Sequence, residues 1–296
     1  MHKLKHLVVA IQDREPLARV MAKAVRLAEA HNARISVVQT CWDPVSDPST
    51  HFPQEEAESI ASRLKAAELN NLSAAVARYR QQGADIQAHA IWSRRHAPAV
   101  AAFARDVAAD LVLMPNHPSR ALQRLRLPAA LKIAGRVATP LLVCAESAWA
   151  PSVDLLVLLD AADPAHDALN ERLISEAGAL VDLLHGQLRL ATVYELPRTA
   201  LKSDADRAAF QKATEARLLD RLQAFARTGT PAPAGLHVMT GDLAQSADQL
   251  ASSFQAGIIV VGTAARRGME RLWLGNNAET LLFQQTDRDL LLVPDA

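Results

Sequence analysis

The 296-residue chain has few aromatic residues, only two cysteines and no excess of either charge. Aromatic residues make up 4% of the sequence, which argues against a platform that stacks single-stranded nucleic acid. The 32 Lys and Arg residues balance the 32 Asp and Glu residues, so no net field attracts nucleic acid or anionic lipid. Cys41 and Cys144 lie in no metal or redox spacing, which excludes a disulfide framework and fits a reducing compartment.

Long apolar runs are also absent. No segment approaches about 18 uninterrupted apolar residues, the length that a membrane-spanning helix needs. The apolar segment after His6 is too short for a secretory signal and precedes no small-residue cleavage site. We therefore predict a cytoplasmic protein without membrane association. The length favours two ordinary domains over one large domain.

One order of segments occurs twice along the chain, which indicates an internal repeat. Each half opens with a short apolar run, Leu7–Ile11 or Leu155–Leu159, and an amphipathic helical segment follows. Further apolar runs alternate with helical segments until a fifth run, Leu141–Cys144 or Leu290–Val293, closes the half. The offset between the halves stays between 147 and 149 residues.

Short runs that are apolar throughout and alternate with helices are typical of parallel strands buried on both faces. We therefore predict an α/β fold with two tandem, doubly wound (flavodoxin-like) domains, residues 1–147 and 152–296. Each domain is expected to hold a five-stranded parallel sheet in the order 3-2-1-4-5.

The fourth run of the second half leads into a loop that contains several glycines. In an open parallel sheet, ligands bind outside the carboxyl ends of the strands, where the strand order reverses. Beyond Gly262 and Gly275, Asn276 and Asn277 are good N-cap residues for a following helix. Free N–H groups and the positive dipole at such a helix start favour a phosphate. An ordinary turn and helix cap would use the same residues.

Charged residues lie near the same predicted edge. Arg266 and Arg267 stand between the glycines and would balance a bound anion, although arginines in loops are commonly solvated. Asp160 follows the first apolar run of the second half and so reaches this edge of the sheet. Its carboxylate either contacts a ligand or caps the next helix through Asp163-Pro164, and the residues alone leave both readings open.

At these positions the sequence resembles the universal stress protein family in its tandem two-domain form, and most closely the E-type. The nucleotide-binding branch of that family has an Asp after strand one, a valine after strand two and the loop G-x2-G-x9-G-[ST] after strand four. The residues that match are Asp160, Val193, Gly262, Ala265 and Gly275. Ala265 departs from the middle glycine and keeps its N–H, but its Cβ narrows the allowed dihedrals. Asn276 departs from the Ser or Thr.

The resemblance implies that the C-terminal half binds ATP or a related adenine nucleotide, with Mg²⁺ as its companion, and acts as a sensor or regulator in a stress response. It assigns contacts with the adenosine portion to Asp160 and backbone contacts with the base to Val193. Phosphate contacts fall to the loop, and its members are Gly262, Ala265, Arg266, Arg267, Gly275, Asn276 and Asn277.

The first half departs from this pattern. Prolines at 115, 118 and 128 stand where the second half has Gly262, Ala265 and Gly275. Proline has no backbone N–H, so three proposed phosphate donors are chemically absent. Gln12 stands where the second half has Asp160. We therefore predict that the N-terminal half is structural or binds another ligand.

The resemblance also implies a pairing between the two halves. The resemblance implies that single-domain members of the family form dimers through the fifth strand. An uncovered apolar edge strand promotes such association. We expect the two halves to pair internally as a pseudo-dimer, with Trp149 packed beneath, and a homodimer through another face stays open.

No catalytic template is present, since the sequence has no G-x-S-x-G elbow, Walker loop or G-x-G-x-x-G after a strand. We predict no catalytic residues and at most a slow ATPase activity. No metal site is predicted, because His2 and His6 stand at a strand entry and no H-E-x-x-H occurs. His89, Trp92 and His96 either pack against a helix or line a second ligand site.

Two other functions stay open at this point. The chain could bind a different, partly apolar ligand in the same crevice, or it could be a protein-interaction scaffold without a nucleotide. Bound small molecules, a thermal shift with ATP and captured partners distinguish these classes.

Overall fold

The computed structural model describes residues 3–12, 17–43, 54–116, 129–197, 203–263, 281–282 and 287–295. The chain divides into two compact units, one covering Lys3–Ala148 and the other Trp149–Ala296. Within the described ranges, no helix combines the length and the apolarity needed to cross a membrane.

The first unit alternates strands with helices. Its five strands form parallel pairs in the order β3-β2-β1-β4-β5, and β1, β4 and β5 are buried along almost their whole length. The elements are β1 (His6–Ile11), α1 (Leu17–His31), β2 (Arg34–Cys41), α2 (Gln54–Gln81), β3 (Ile86–Trp92), α3 (His96–Asp106), β4 (Leu111–Pro115), α4 (Ala129–Ala134) and β5 (Leu141–Cys144).

The second unit repeats this order as β10-β9-β6-β7-β8, again with parallel pairs. Its elements are β6 (Leu155–Leu158), a short 3₁₀ helix (Pro164–His166), α5 (Asp167–Leu184), β7 (Leu188–Tyr194), α6 (Asp204–Thr228), β8 (Gly235–Thr240), α7 (Leu243–Phe254), β9 (Ile258–Thr263) and β10 (Asp289–Pro294). The predicted doubly wound fold and its strand order 3-2-1-4-5 are therefore confirmed in both halves. The pseudo-dimer stays a prediction.

β10 begins at a charged residue that the apolar pattern left out. Asp289 is 1% exposed, and its N–H donates to the carbonyl of Gly257 at 3.1 Å. Its carboxylate accepts a hydrogen bond from Trp149 Nε1 at 2.8 Å. A buried carboxylate needs such partners, because an unpaired charge is costly to remove from water. Trp149 thus anchors the start of the fifth strand of its own unit.

A cation on the first long helix of each unit contacts the end of the fifth strand. Lys23 of α1, 3% exposed, donates from Nζ to the carbonyl of Ala145 at 3.0 Å. Arg172 of α5 donates from Nη1 to the carbonyl of Pro294 at 2.9 Å. Both contacts span 122 residues, so these two helices correspond at an offset of 149.

Candidate functional site

The register of the second sheet brings the ends of three strands to one level. Leu158 of β6 pairs with Ala191 of β7 and with Val261 of β9. Asp160 and Val193 each lie two residues further along their chains, at the carboxyl edge of the sheet. The strand order reverses at β6, which is where an open α/β sheet leaves a crevice for ligands.

One buried side chain holds both peptide groups of Asp160. Asn170 of α5 accepts a hydrogen bond from the Asp160 N–H at 3.1 Å and donates from Nδ2 to the Asp160 carbonyl at 2.9 Å. Asn170 is 1% exposed, so water does not compete with these two hydrogen bonds. The backbone of the turn after β6 is therefore fixed before any ligand arrives.

The side chain of Asp160 has a defined partner as well. Oδ2 of the carboxylate lies 2.8 Å from Nδ1 of His166, in the 3₁₀ helix. An ionised carboxylate only accepts hydrogen bonds, so the Nδ1 atom of His166 carries the hydrogen in this pair. The side chains of His166 and Asp160 are 35% and 45% exposed, so both border the crevice without being sealed from solvent.

Asp163 caps the helical segment that follows. Its Oδ1 accepts from the N–H of Ala165 at 2.9 Å, and Pro164 occupies the first helical position. The reading in which Asp160 serves this helix start is therefore wrong, because Asp163 makes the cap and the Asp160 carboxylate faces His166 instead.

Arg221 of helix α6 holds both ends of the turn that follows β6. Arg221 forms an ion pair with Asp167, and its Nε donates to the carbonyl of Ala161 at 3.4 Å. The same guanidinium lies over the ring of Phe225 at 5.4 Å. The segment between Asp160 and Asp167 is thus tied at both ends by one side chain.

A second contact from α6 reaches the end of β7. Tyr194 donates its hydroxyl to Glu215 at 3.3 Å, and Gln211 donates to the same carboxylate at 2.9 Å. Burial, followed by the negative charge of Glu215, raises the pKa of the Tyr194 phenol. The phenol therefore stays neutral and acts as a hydrogen-bond donor.

Gly262 and Val193 lie on the strands that flank this crevice. Val193 is partly buried on β7 and pairs with Met239 of β8. Gly262 of β9 faces α5 so closely that an ideal Cβ would lie 2.7 Å from Cδ2 of Leu169. The helix packing therefore gives a structural reason for this glycine, independent of any ligand.

The remaining predicted phosphate contacts lie outside the described residues. They are Ala265, Arg266, Arg267, Gly275, Asn276 and Asn277. Their roles stay predictions.

The corresponding edge of the first unit has different chemistry. Gln12 is exposed where the second unit has Asp160. The offset of 149 places Met21, which is fully buried, where the second unit has Asn170. Pro115 ends β4 as a buried residue, and it has no N–H to offer. At these two described positions, the first unit therefore has neither a carboxylate like that of Asp160 nor an amide side chain like that of Asn170.

The three aromatic residues predicted near the end of β3 have separate neighbours. His96 pairs through Nδ1 with the hydroxyl of Thr40 at 2.7 Å. His89 packs its ring against Phe103, with 4.8 Å between the ring centroids. Trp92 is partly buried as the last residue of β3, and a second ligand site there stays a hypothesis. In the parts of the chain that the structure describes, no three His, Cys, Asp or Glu side chains are grouped to hold a metal ion.

His89 and His237 occupy corresponding positions, 148 residues apart, on the outermost strand of each sheet. The ring of His237 packs against Phe254, with 4.7 Å between the centroids. Within the described residues, Nε2 of each ring is shielded from solvent and has no hydrogen-bond partner. Burial lowers the pKa of both histidines. His6 adds to this effect for His89, and Arg189 does so for His237.

Sequence reasoning did not find three residues of the site, Asn170, His166 and Arg221. Asn170 left one signal, since it is a polar residue beside Leu169 on the buried stripe of α5. The other two left none, because their contacts depend on how the turn after β6 is folded.

Comparisons with known proteins agree with this architecture. The model of the universal stress protein family matches residues 3–145 and again 155–294. Universal stress protein E of Escherichia coli (strain K12) and that of Salmonella typhi are each 23% identical over 291 residues, covering 96% of this chain and 91% of the relative. A solved universal stress protein from Archaeoglobus fulgidus DSM 4304 has a TM-score of 0.62 at 12% identity, covering 98% of this chain and 96% of its own.

Proposed function

The chain belongs to the universal stress protein family, with one copy of the family domain in each half, and we propose that the C-terminal copy binds an adenine nucleotide, ATP or a close relative, as a stress-response sensor. The N-terminal copy has a structural role or another ligand. A cytoplasmic location stays a prediction from the sequence.

The observation that carries the proposal is the fixed carboxylate at the point where the strand order reverses. Asn170 holds the backbone of Asp160 on both sides, and His166 takes one carboxylate oxygen. The other oxygen has no hydrogen-bond partner within the described residues and can accept one, and the adenosine portion of a nucleotide has amino and hydroxyl donors. Preorganisation of this kind favours binding because little freedom is lost when the ligand arrives.

The phosphate end of the proposed site rests on the sequence. Gly262 lies near the end of β9, and the sequence that follows this strand carries Arg266, Arg267 and Gly275 with the two asparagines. Backbone N–H groups at a helix start, together with two guanidinium groups, suit a polyphosphate, and Mg²⁺ would accompany it. We assign no catalytic step to these residues.

The contrast between the two halves makes the proposal testable within one chain. We expect ATP with Mg²⁺ to raise the melting temperature of the full-length protein. At an ATP concentration one hundred times Kd, the free energy of unfolding should increase by about 2.7 kcal/mol. Asp160→Ala removes a charged acceptor and should weaken binding about tenfold or more. Thermal unfolding with and without ATP measures the first effect, and calorimetric titration of the wild type and the variant measures the second.

Gln12→Ala is the matched control, because Gln12 is the exposed counterpart of Asp160 in the other half. We expect this variant to bind ATP like the wild type. A wild-type protein that shows neither a shift nor heat with ATP would contradict the proposal. Native mass spectrometry of the freshly purified chain then tells whether a different, partly apolar ligand is bound instead, and it reports any homodimer.

A further inference from the structure

We propose that His166 is a positioning residue of the C-terminal ligand site, one that holds the Asp160 carboxylate so that a single oxygen faces the ligand. This inference rests on the proposed nucleotide function and extends it to a residue outside the family's motif. Its basis is the 2.8 Å contact between Nδ1 of His166 and Oδ2 of Asp160.

The need for such a residue follows from the exposure of the carboxylate. Asn170 fixes the backbone of Asp160, but backbone contacts leave the side-chain torsions free. A carboxylate that is 45% exposed would otherwise rotate, so that either of its two oxygens could face the ligand or the solvent. The imidazole N–H engages Oδ2 and so leaves Oδ1 in a defined place to accept from a ligand.

The turn that carries His166 is itself held in place. The N–H of His166 donates to the carbonyl of Asp163 at 3.1 Å, within the 3₁₀ helix that Asp163 caps. Arg221 joins the two ends of the segment through Ala161 and Asp167. The imidazole therefore sits on a supported turn, which is what a group needs if it is to orient another.

The contact requires a donor at one particular atom. The Nδ2 atom of asparagine occupies nearly the same place as the Nδ1 atom of histidine, whereas the amide of glutamine reaches the place of Nε2. His166→Asn therefore keeps the donor, His166→Gln moves it away and His166→Leu removes it.

We expect His166→Leu and His166→Gln to bind ATP about tenfold more weakly than the wild type, and His166→Asn to stay within about twofold. The melting temperature without ligand should change little among the three variants, because partly exposed pairs contribute little to stability. A merely structural role would lower the melting temperature and would not separate asparagine from glutamine.

A double-mutant cycle completes the test. In an Asp160→Ala background, His166→Leu should cause no further loss of affinity, because the group that it positions is gone. Equal ATP affinity of the wild type and His166→Leu would overturn the positioning role and leave the proposed function intact. Additive losses in the cycle would overturn it in the same way, whereas a wild type that binds no ATP overturns both proposals.

Discussion

Replacing Gly186 with alanine is expected to lower the free energy of unfolding by about 3 kcal/mol, since overpacking against a rigid neighbour costs this much or more. An ideal Cβ at this position lies 1.8 Å from the carbonyl oxygen of Val153 and 3.0 Å from the N atom of Asp154. Both atoms belong to the backbone that leads into β6, so no side chain can turn aside. Urea unfolding of the full chain, followed by circular dichroism, measures the loss.

Gly83 provides the matched control for this substitution. It follows α2 with a φ of +99°, and an ideal Cβ there meets no heavy atom of the described residues within 4 Å. Gly83→Ala should therefore cost only the strain of a positive φ, about 1 kcal/mol. If Gly186→Ala proved no more harmful than Gly83→Ala, the close approach between Gly186 and Val153 would be refuted.

Acid is expected to destabilise the protein through two partly buried histidines. Burial lowers the pKa of His89 and His237 in the folded state, while unfolded histidine titrates near about 6.5. As the pH falls through this value, the unfolded chain binds more protons than the folded one, so the free energy of unfolding decreases. The loss continues until the pH passes below the folded pKa values, and stability is fully retained above the unfolded value.

The groups around the two rings add to this effect. The guanidinium of Arg189 lies over Phe254 at 4.5 Å and disfavours a positive charge on His237, although Asp154 pairs with that guanidinium at 2.8 Å. His6 acts on His89 in the same direction. A protonated ring would place an Nε2–H where it is shielded from solvent and has no acceptor in the described residues.

A double variant tests this prediction. Between about pH 8 and about pH 5, the melting temperature of the wild type should fall by a few degrees more than that of His89→Leu/His237→Leu. His185→Asn is the control, because His185 is exposed with a φ of +53°, which asparagine tolerates. Parallel pH profiles for the wild type and the double variant would show that these rings do not carry the acid sensitivity.

The fold could be predicted because its signal is local. Runs such as Leu141–Cys144 are buried along their whole length, and their apolar pattern gives the strand without tertiary information. The start of β10 could not be predicted, because Asp289 is stabilised by Trp149, 140 residues away. A charged residue at a buried strand position becomes understandable only when its partner is known.

The candidate site divides in the same way. The position of Asp160 and Val193 at the carboxyl edge could be predicted because parallel strands end at a common edge, and each lies two residues beyond the paired Leu158 or Ala191. Their contact with a ligand stays a prediction. The role of Asp160 was harder to predict, since a carboxylate before Asp163-Pro164 also fits a helix cap. The partners of Asp160 are set by the direction of the 3₁₀ turn, which places His166 against the carboxylate and which neither composition nor periodicity encodes.

The contacts of Lys23 and Arg172 bear on how each domain assembles during synthesis. Each cation lies on the opening helix, and each acceptor, Ala145 or Pro294, lies at the end of the closing strand. In each half, this hydrogen bond can form only after the whole repeat has left the ribosome. Each half is therefore expected to reach its native packing in one late, cooperative step rather than strand by strand.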